Sequence, residues 1–451
     1  MKIRLPICSC LSVLLFLVFP FYLFSQWKNS PQKIILDNGL TLIYQKDDSS
    51  AVTALYVLIN GGQMVEPADR QGLAYLTTRL SVEIPDSGMV RELMIKSSRI
   101  STSSGGDYSL VNVMCLSEHL EDTVKILSRI LKKPLFSGLR IDYIKKSMTH
   151  LRELRGDDAI LVGHQILQHA FFGETHYGAS LYGDNDSLKA IKGKDIRDFY
   201  DHFFVAHNLI LSVSSDLEEA VITRLIRKYF SEFRMGKIPE PTSVISKRGF
   251  LPAKKEFFIE KKTRQYLIST GFPLPHVSPK NFVLASALEN LLGKGPASRL
   301  WRLRSEQKLA YNPNAKSTQW KEAGILEAYL ETDASKKSLA LDALNQTLLD
   351  LYKKGITQEE WQNTKISTKA HFLRSYESKE QRTAALAIFE ALGLGSEFLS
   401  GFFVELDALP FKEMNAYIKD VLDPEKAVVV IVGPKENSVH LQAPPVERHF
   451  P

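Results

Sequence analysis

Cysteine is almost absent from this chain of 451 residues, which contains three in all. Cys8 and Cys10 lie in the apolar N-terminal segment, so Cys115 is the only cysteine in the rest of the chain. A lone thiol cannot form an internal disulfide, and hydrophobic cores must therefore stabilise the fold. Cys115 stands in an apolar, strand-like run, where we expect a buried and unreactive thiol.

The sequence also lacks the short motifs of several other protein classes. It contains no Gly-x-Ser-x-Gly elbow, no CxxC pair and no phosphate-binding loop, which argues against an independent hydrolase with unrelated chemistry. The net charge of +6 is mild, and no dense basic run is interleaved with aromatics. We therefore expect no nucleic acid among its partners. His164 and His169 are five residues apart and do not share a helical face, so they do not suggest a metal site.

Residues 1–26 have the composition of a secretory signal. Lys2 and Arg4 precede an apolar run at residues 5–24, and Ser25 follows it without any intervening acidic residue. The pattern predicts export to the periplasm or cell envelope, with cleavage near Ser25. The alternative is an uncleaved N-terminal anchor, because an apolar run of about 20 residues is long enough to span a bilayer as a membrane tether.

Two parts of the chain show a similar order of predicted elements. Residues 27–235 and 252–451 each begin with two strands, continue through helices and further strands, and end in a helix–strand region. Residues 236–251 between them are polar and contain prolines, which is typical of a linker. This repetition predicts a diverged internal duplication.

Within the first part, the local patterns predict particular elements. Asp37-Asn38-Gly39 predicts a tight turn between two strands. Alternating apolar residues indicate strand structure between Ser98 and Leu116, and helical spacing runs from about Leu139 to Phe172.

Several short stretches, in order and spacing, resemble the insulinase/pitrilysin-like zinc peptidases (the inverzincins), which include the mitochondrial processing peptidases. The matching stretches are residues 36–40, 72–74, 173–178, 186–191, 199–204, 296–301 and 309–311. The resemblance implies an α+β fold of two homologous halves. Each half would be an antiparallel-rich sheet with helices packed on one face, and the two would form a clamshell.

In active members of that family, a helix reading G-L-A-H-x-x-E-H binds zinc through two histidines and activates water through its glutamate. The matching helix here has Tyr75, Thr78 and Arg79 at those three positions. A phenol is a poor ligand at neutral pH, a guanidinium repels a dication, and threonine cannot act as a general base. We therefore expect no bound metal and no catalytic group in this chain alone.

The family takes its third zinc ligand from a glutamate further along the chain. Glu153 stands at about the matching distance, although Arg152 is an equally good match. If Glu153 is the match, we expect an ion pair between Arg79 and Glu153 in the former metal cavity. The alternative is that both side chains are solvated surface charges.

The second half retains a motif that the resemblance links to substrate binding. In the family, a segment resembling S-R-L-x-x-x-(L/I)-R-x-x-x-G-L-A-Y supplies an arginine and a tyrosine that hold the peptide backbone and the transition-state oxyanion. Residues 298–311 match it, with Arg304 and Tyr311 as the substrate-binding pair. One residue is missing before Leu303, which leaves Arg302 as an alternative, and Lys308 replaces the usual glycine.

In several bacterial relatives, one subunit supplies the zinc helix and another the Arg/Tyr pair of a shared centre. The sequence therefore predicts a catalytically inactive subunit of a zinc peptidase heterodimer. It would bind unfolded peptide together with an active zinc peptidase homologue, and only that partner would hold zinc. The alternative is a non-enzymatic clamshell that binds peptides or scaffolds an envelope assembly.

Overall fold

The computed structural model describes residues 29–174, 176–236 and 255–435. The predicted signal segment at 1–26 and all but the first residue of the predicted linker at 236–251 lie outside them. Over the described ranges, no helix has both the length and the apolar character needed to cross a bilayer.

The first half is built on a mixed sheet of six strands. These are β1 (Gln32–Ile35), β2 (Thr41–Lys46), β3 (Val52–Ile59), β4 (Arg99–Ser104), β5 (Ser109–Leu116) and β6 (Leu209–Ser215). Their order is β1-β2-β6-β3-β5-β4, with β2 and β6 parallel and the other neighbours antiparallel. The turn predicted between β1 and β2 is confirmed, and Gly39 there has φ +85°, in the left-handed region that favours glycine.

Eight helices accompany this sheet in the described part of the first half. They are α1 (Leu73–Ser81), α2 (Ser87–Ile95), α3 (Leu120–Lys132), α4 (Gly138–Asp157), α5 (Ala159–Phe172), α6 (Asn185–Ala190), α7 (Gly193–Phe203) and α8 (Glu219–Phe230). Cys115 on β5 is 3% exposed, as expected for a structural thiol, and burial raises its pKa to about 11.

The single helical pattern from Leu139 to Phe172 is in fact two helices, α4 and α5. Asp158 separates them because its backbone is extended, with ψ 119°. Its carboxylate then accepts hydrogen bonds from the backbone nitrogens of Ile160 at 2.8 Å and Leu161 at 3.1 Å. This is N-capping, which satisfies amide groups that a new helix leaves unpaired.

The second half repeats the topology of the first. Its strands are β7 (Glu256–Glu260), β8 (Gln265–Leu274), β9 (Asn314–Gln319), β10 (Gly324–Asp333) and β11 (Val428–Gly433). The order β7-β11-β8-β10-β9 matches β2-β6-β3-β5-β4, and the β7–β11 pair is parallel as the β2–β6 pair is. Its helices are α9 (Pro279–Gly293), α10 (Trp301–Ser305), α11 (Lys337–Lys354), α12 (Gln358–Ser375), α13 (Lys379–Ala391), α14 (Phe398–Ala408) and α15 (Phe411–Val421).

The two halves exchange one helix each. Along β3, Leu55 and Val57 join the core formed with the first half's own helices, whereas Tyr56 and Leu58 pack with Leu386 of α13. In the same way, α5 of the first half covers β8 and β11 of the second sheet. The prediction of helices on one face therefore holds for each half's own helices, and a helix from the other half covers the second face.

Buried ionisable side chains form hydrogen bonds at both of these junctions. At the first, Arg382 pairs with Asp47 at 2.6 Å, and Lys379 donates to the backbone carbonyl of Asp47 at 2.8 Å. At the second, the Nδ1 atom of His164 on α5 lies 2.9 Å from a carboxylate oxygen of Glu327 on β10. Ser269 donates to the other oxygen of Glu327 at 2.7 Å. The clamshell is thus assembled by exchanged helices whose polar groups are satisfied by the opposite half.

Candidate functional site

Helix α1 begins against a buried carboxyl group, that of Glu66. Its two oxygens accept hydrogen bonds from the backbone nitrogens of Gly72 at 2.9 Å and Ala74 at 2.7 Å. The position at a helix N-terminus favours negative charge. Burial has the larger and opposite effect and raises the pKa of Glu66 to about 8. The sequence offered no local signal for this role, because Glu66 lies outside the helix that it caps.

We expect Glu66→Gln to become more stable relative to the unsubstituted chain as the pH rises from 5 to 9. With a raised pKa, the folded chain holds a proton that the unfolded chain releases above about pH 4.5, so its stability falls as the pH approaches 8. Glutamine does not titrate. Thermal unfolding of both proteins should show a shift of at least about 1 kcal/mol in favour of the variant. A difference that stays constant over this range would show that Glu66 is ionised in the folded protein.

Two of the three positions that replace the zinc-binding motif are closed to a metal. Tyr75 packs edge-on against Tyr182, with ring centroids 5.0 Å apart. Burial raises the pKa of the Tyr75 hydroxyl, so the phenolate that could bind a cation is further disfavoured. Thr78 is fully buried, and its hydroxyl has no hydrogen-bond partner among the described residues. Neither side chain is placed to activate a water molecule.

The third position, Arg79, forms an ion pair, but not with the residue expected. Its Nη1 atom lies 2.7 Å from a carboxylate oxygen of Glu83, and Arg140 on α4 pairs with the other oxygen of Glu83. The predicted Arg79–Glu153 pair is wrong. Glu83 lies four residues after Arg79, at the spacing that brings two side chains together on one helical turn. Arg79 therefore pairs with a nearby carboxylate rather than with one on α4. That spacing was the signal in the sequence that could have identified Glu83.

Glu153 lies on the solvent side of α4. Its side chain is 69% exposed, and it approaches His150 at 4.0 Å. Arg152, the other match considered for the third ligand, donates to the backbone carbonyl of Gly183 and to Asn185 Oδ1, each at 2.5 Å. Neither residue completes a metal site. In the part of the chain that the structure describes, no group of three or more His, Cys, Asp or Glu side chains could hold a metal ion.

An open pocket of about 680 Å³ lies beside Arg79. Its walls come from α1, α2, the start of α4 and the edge strand β4, with Arg79, Met94, Ser101 and Arg140 among the lining residues. The outer edge of β4 has no strand partner among the described residues. Such an edge presents free backbone N–H and C=O groups to which an extended peptide can add. The pocket and the unpaired strand edge therefore lie side by side next to Arg79.

The second half brings Arg304 and Tyr311 together, as the motif suggested. The Arg304 guanidinium carbon lies 4.9 Å from the ring centroid of Tyr311 and 4.7 Å from that of Trp301. Within the described residues, no carboxylate lies within ion-pair distance of Arg304. Tyr311 is 73% exposed. The stacked guanidinium is therefore held in place while its donors remain available.

The contacts in this region show which of Arg304 and Arg302 lies against Tyr311. Arg302 pairs with Glu306 at 3.1 Å on the exposed side of α10, away from the stack formed with Tyr311. Lys308 has φ +55°, which explains why glycine is usual at this position of the motif. The backbone nitrogen of Tyr311 donates to the carbonyl of Glu331 at 3.4 Å. The missing residue before Leu303 therefore does not displace Arg304 from Tyr311.

Glu331, whose backbone carbonyl bonds to Tyr311, has a carboxyl group that is affected by a charge of the first half. Burial and then the charge of Asp158 raise the pKa of the Glu331 carboxyl, so Glu331 lies near the junction of α4 and α5. Tyr311 is bonded to the backbone of that same Glu331.

Comparison with known proteins agrees with this architecture. Residues 41–185 match the family model described as insulinase (peptidase family M16), and residues 190–367 match the peptidase M16 inactive domain. An uncharacterized zinc protease YmxG of Bacillus subtilis is 21% identical over 405 residues, which cover 87% of this chain and 96% of that protein. A non-peptidase homolog YmxG of Helicobacter pylori is 21% identical over 407 residues, 88% of this chain and 92% of that protein.

A solved structure shows the same fold. The peptidase M16 inactive domain from Pseudomonas fluorescens superposes with a TM-score of 0.78 at 19% identity, covering 90% of this chain and 98% of that one. The prediction of a two-half α+β clamshell is therefore confirmed.

Proposed function

This chain belongs to the insulinase (M16) peptidase family, and we propose that it is the catalytically inactive subunit of a zinc peptidase heterodimer. The observation that carries the proposal is a contrast between its two halves. The first half has Tyr75, Thr78 and Arg79 in place of the zinc-binding motif, whereas the second half keeps a partly exposed Arg304 stacked on an exposed Tyr311. The name of the Helicobacter relative, a non-peptidase homolog, agrees with the loss of activity proposed here.

In this proposal, the active partner holds the zinc ion and the attacking water. Arg304 and Tyr311 bind the peptide carbonyl at which negative charge develops. A guanidinium that is held against two rings needs little free energy to adopt the orientation used in binding. Preorganised donors of this kind stabilise an oxyanion strongly. The hydroxyl of Tyr311 supplies a second donor. This chain contributes positioning and charge, and the partner contributes the nucleophile.

The pocket beside Arg79 supports binding of an unfolded peptide. Strand β4 offers a free edge for main-chain hydrogen bonds, and its residues Arg99, Ser101 and Ser103 are exposed. Met94 and Ile95 of α2 are 74% and 71% exposed and supply apolar surface near that edge. An extended segment can add to the strand through its backbone, with little requirement for a particular sequence. We propose that both chains act in the cell envelope, on the strength of the N-terminal segment.

The proposal is tested with the chain from residue 27 onward, purified without metal chelators. We expect it to contain no stoichiometric zinc and to cleave no unfolded fluorogenic peptide. Adding the M16 homologue with an intact zinc motif from the same organism should form a complex that cleaves the peptide faster than that homologue alone. Chelator-sensitive cleavage by this chain alone would overturn the proposal. A stable complex with no gain in cleavage would favour the scaffolding alternative.

A further inference from the structure

A second cavity, in the other half of the molecule, has the features of a built binding site. It has a volume of about 460 Å³ and lies between α9, α12, α13, α14 and the edge strand β9, with Tyr108 of the first half also in its lining. Its position relative to the second sheet resembles that of the Arg79 pocket relative to the first, because each adjoins the helix after a central strand and the edge strand. The volume falls in the range of small-ligand sites, about 300–1,000 Å³.

One wall of this cavity is aromatic. Phe372 and Phe402 are stacked face to face, with ring centroids 3.7 Å apart, and Phe282 meets Phe389 edge-on at 5.5 Å. Tyr376 lies against Phe372 at 4.7 Å. Aromatic rings pack best against a flat ring in stacked or edge-on geometry. The shape and chemistry of this wall therefore favour an aromatic ligand over an aliphatic one.

Two buried polar atoms in the lining have no hydrogen-bond partner among the residues that the structure describes. Thr368 is 1% exposed, and its hydroxyl makes no hydrogen bond, although Thr364 on the same helix donates to the carbonyl of Glu360 at 2.8 Å. Asn290 is 7% exposed; its amide nitrogen donates to the carbonyl of Ser286, and its Oδ1 atom accepts nothing. Buried polar groups rarely remain unpaired, since each costs the free energy of its lost hydration. A ligand here must bring a hydrogen-bond donor.

The charges around the cavity balance each other. Glu289 pairs with Lys294 at 3.0 Å and also accepts from the backbone nitrogen of Ser317 at 2.9 Å. Burial, followed by the charges of Arg374 and Lys294, lowers the pKa of His371, which is therefore neutral at pH 7. Glu289 and Lys294, the charged side chains that line the cavity, thus pair with each other rather than with an ionised ligand, whose burial would be costly. We propose that this cavity binds a small uncharged phenol or indole, with its ring on the aromatic wall and its donor directed to the Thr368 hydroxyl.

The test compares p-cresol with toluene, which has nearly the same shape but no donor, by ligand-observed NMR titration. We expect p-cresol to bind at least about fivefold more tightly than toluene. Thr368→Val keeps the shape of the side chain. It should lower the affinity for p-cresol by about fivefold and change the affinity for toluene by less than twofold. Benzoate and benzylamine, which are charged at neutral pH, should bind more weakly than p-cresol.

Thr77→Val is the matched control. Thr77 is also fully buried with an unpartnered hydroxyl, but it lies on α1 in the other half and does not line the cavity. It should leave p-cresol binding unchanged. Absence of p-cresol binding, equal affinities for p-cresol and toluene, or equal effects of the two valine variants would each overturn the proposal. If Thr368→Val fails to fold, the comparison of the two ligands on the unsubstituted chain decides.

Discussion

Asp47→Ala is expected to lower the free energy of unfolding by about 3–5 kcal/mol. Asp47 is the carboxylate at the junction of β2 with α13, and its side chain is 11% exposed. Removing it leaves Arg382 and Lys379 without a counterion, and their side chains are 7% and 6% exposed. An uncompensated buried charge costs far more than a surface pair contributes. Chemical denaturation followed by circular dichroism measures the difference.

The pH dependence of this variant has a definite sign. Burial alone would raise the pKa of Asp47, but hydrogen bonds from Ser49 and Arg382 outweigh it and lower the pKa below its ordinary value. The stabilisation is therefore present above about pH 4 and is lost as the pH falls through the lowered pKa. At acid pH, the free energy of unfolding of Asp47→Ala should approach that of the unsubstituted chain.

Asp198→Ala is the matched control for Asp47→Ala. It removes a carboxylate that pairs with Lys194 on the surface, where the Lys194 and Asp198 side chains are 81% and 59% exposed. Because solvent screens such a pair, this variant should lose far less stability than Asp47→Ala. Equal losses for the two variants would show that the α13 junction does not depend on the buried ion pair.

Arg304→Ala is expected to lower the turnover of the reconstituted heterodimer by more than tenfold, towards the ~10²–10³ typical of a lost oxyanion donor. The stacking between Trp301 and Tyr311 fixes the guanidinium, and no ion pair competes for its donors among the described residues. Arg304→Lys keeps the charge but loses the planar, forked donor set, so it should recover only part of the activity. Steady-state cleavage of a fluorogenic peptide by the complex measures both variants.

Arg302→Ala provides the matched control for that experiment. Arg302 lies on the same short helix, but it is exposed and pairs with Glu306. Arg302→Ala should change the turnover of the heterodimer by less than twofold. If Arg304→Ala leaves turnover unchanged while the complex still forms, the shared catalytic centre is wrong. If both arginine variants lower turnover equally, the effect belongs to the general charge of this surface.

Much of the fold could be predicted because its signals are local. The turn at Asn38 and Gly39 and the helix at Leu73–Ser81 follow from residues within a few positions of each other. The break at Asp158 was missed because α4 and α5 together form one continuous helical pattern. Only the extended backbone of Asp158 and its capping bonds show that two helices are present.

In the candidate site, too, some features had a local signal in the sequence and others did not. Arg304 and Tyr311 are joined by a short segment, so the motif alone placed them near each other. The partner of Arg79 depended on where α4 and its side chains lie in space, and the structure replaced Glu153 with Glu83 and Arg140. The cavity at Thr368 gave no signal in the sequence, because its walls come from elements that are far apart in the chain.

The sequence by itself determined that this chain has no histidine pair or glutamate base in its family's zinc helix, since the side chains at three positions decide that chemistry. It also determined that the Arg/Tyr motif is retained. Only the tertiary structure decided that each half lends a helix to the other, and that buried ionisable side chains such as Asp47 and Glu327 form hydrogen bonds with those helices. Ion pairs between distant residues form only after packing has excluded water and brought their elements together, and no local pattern specifies that step.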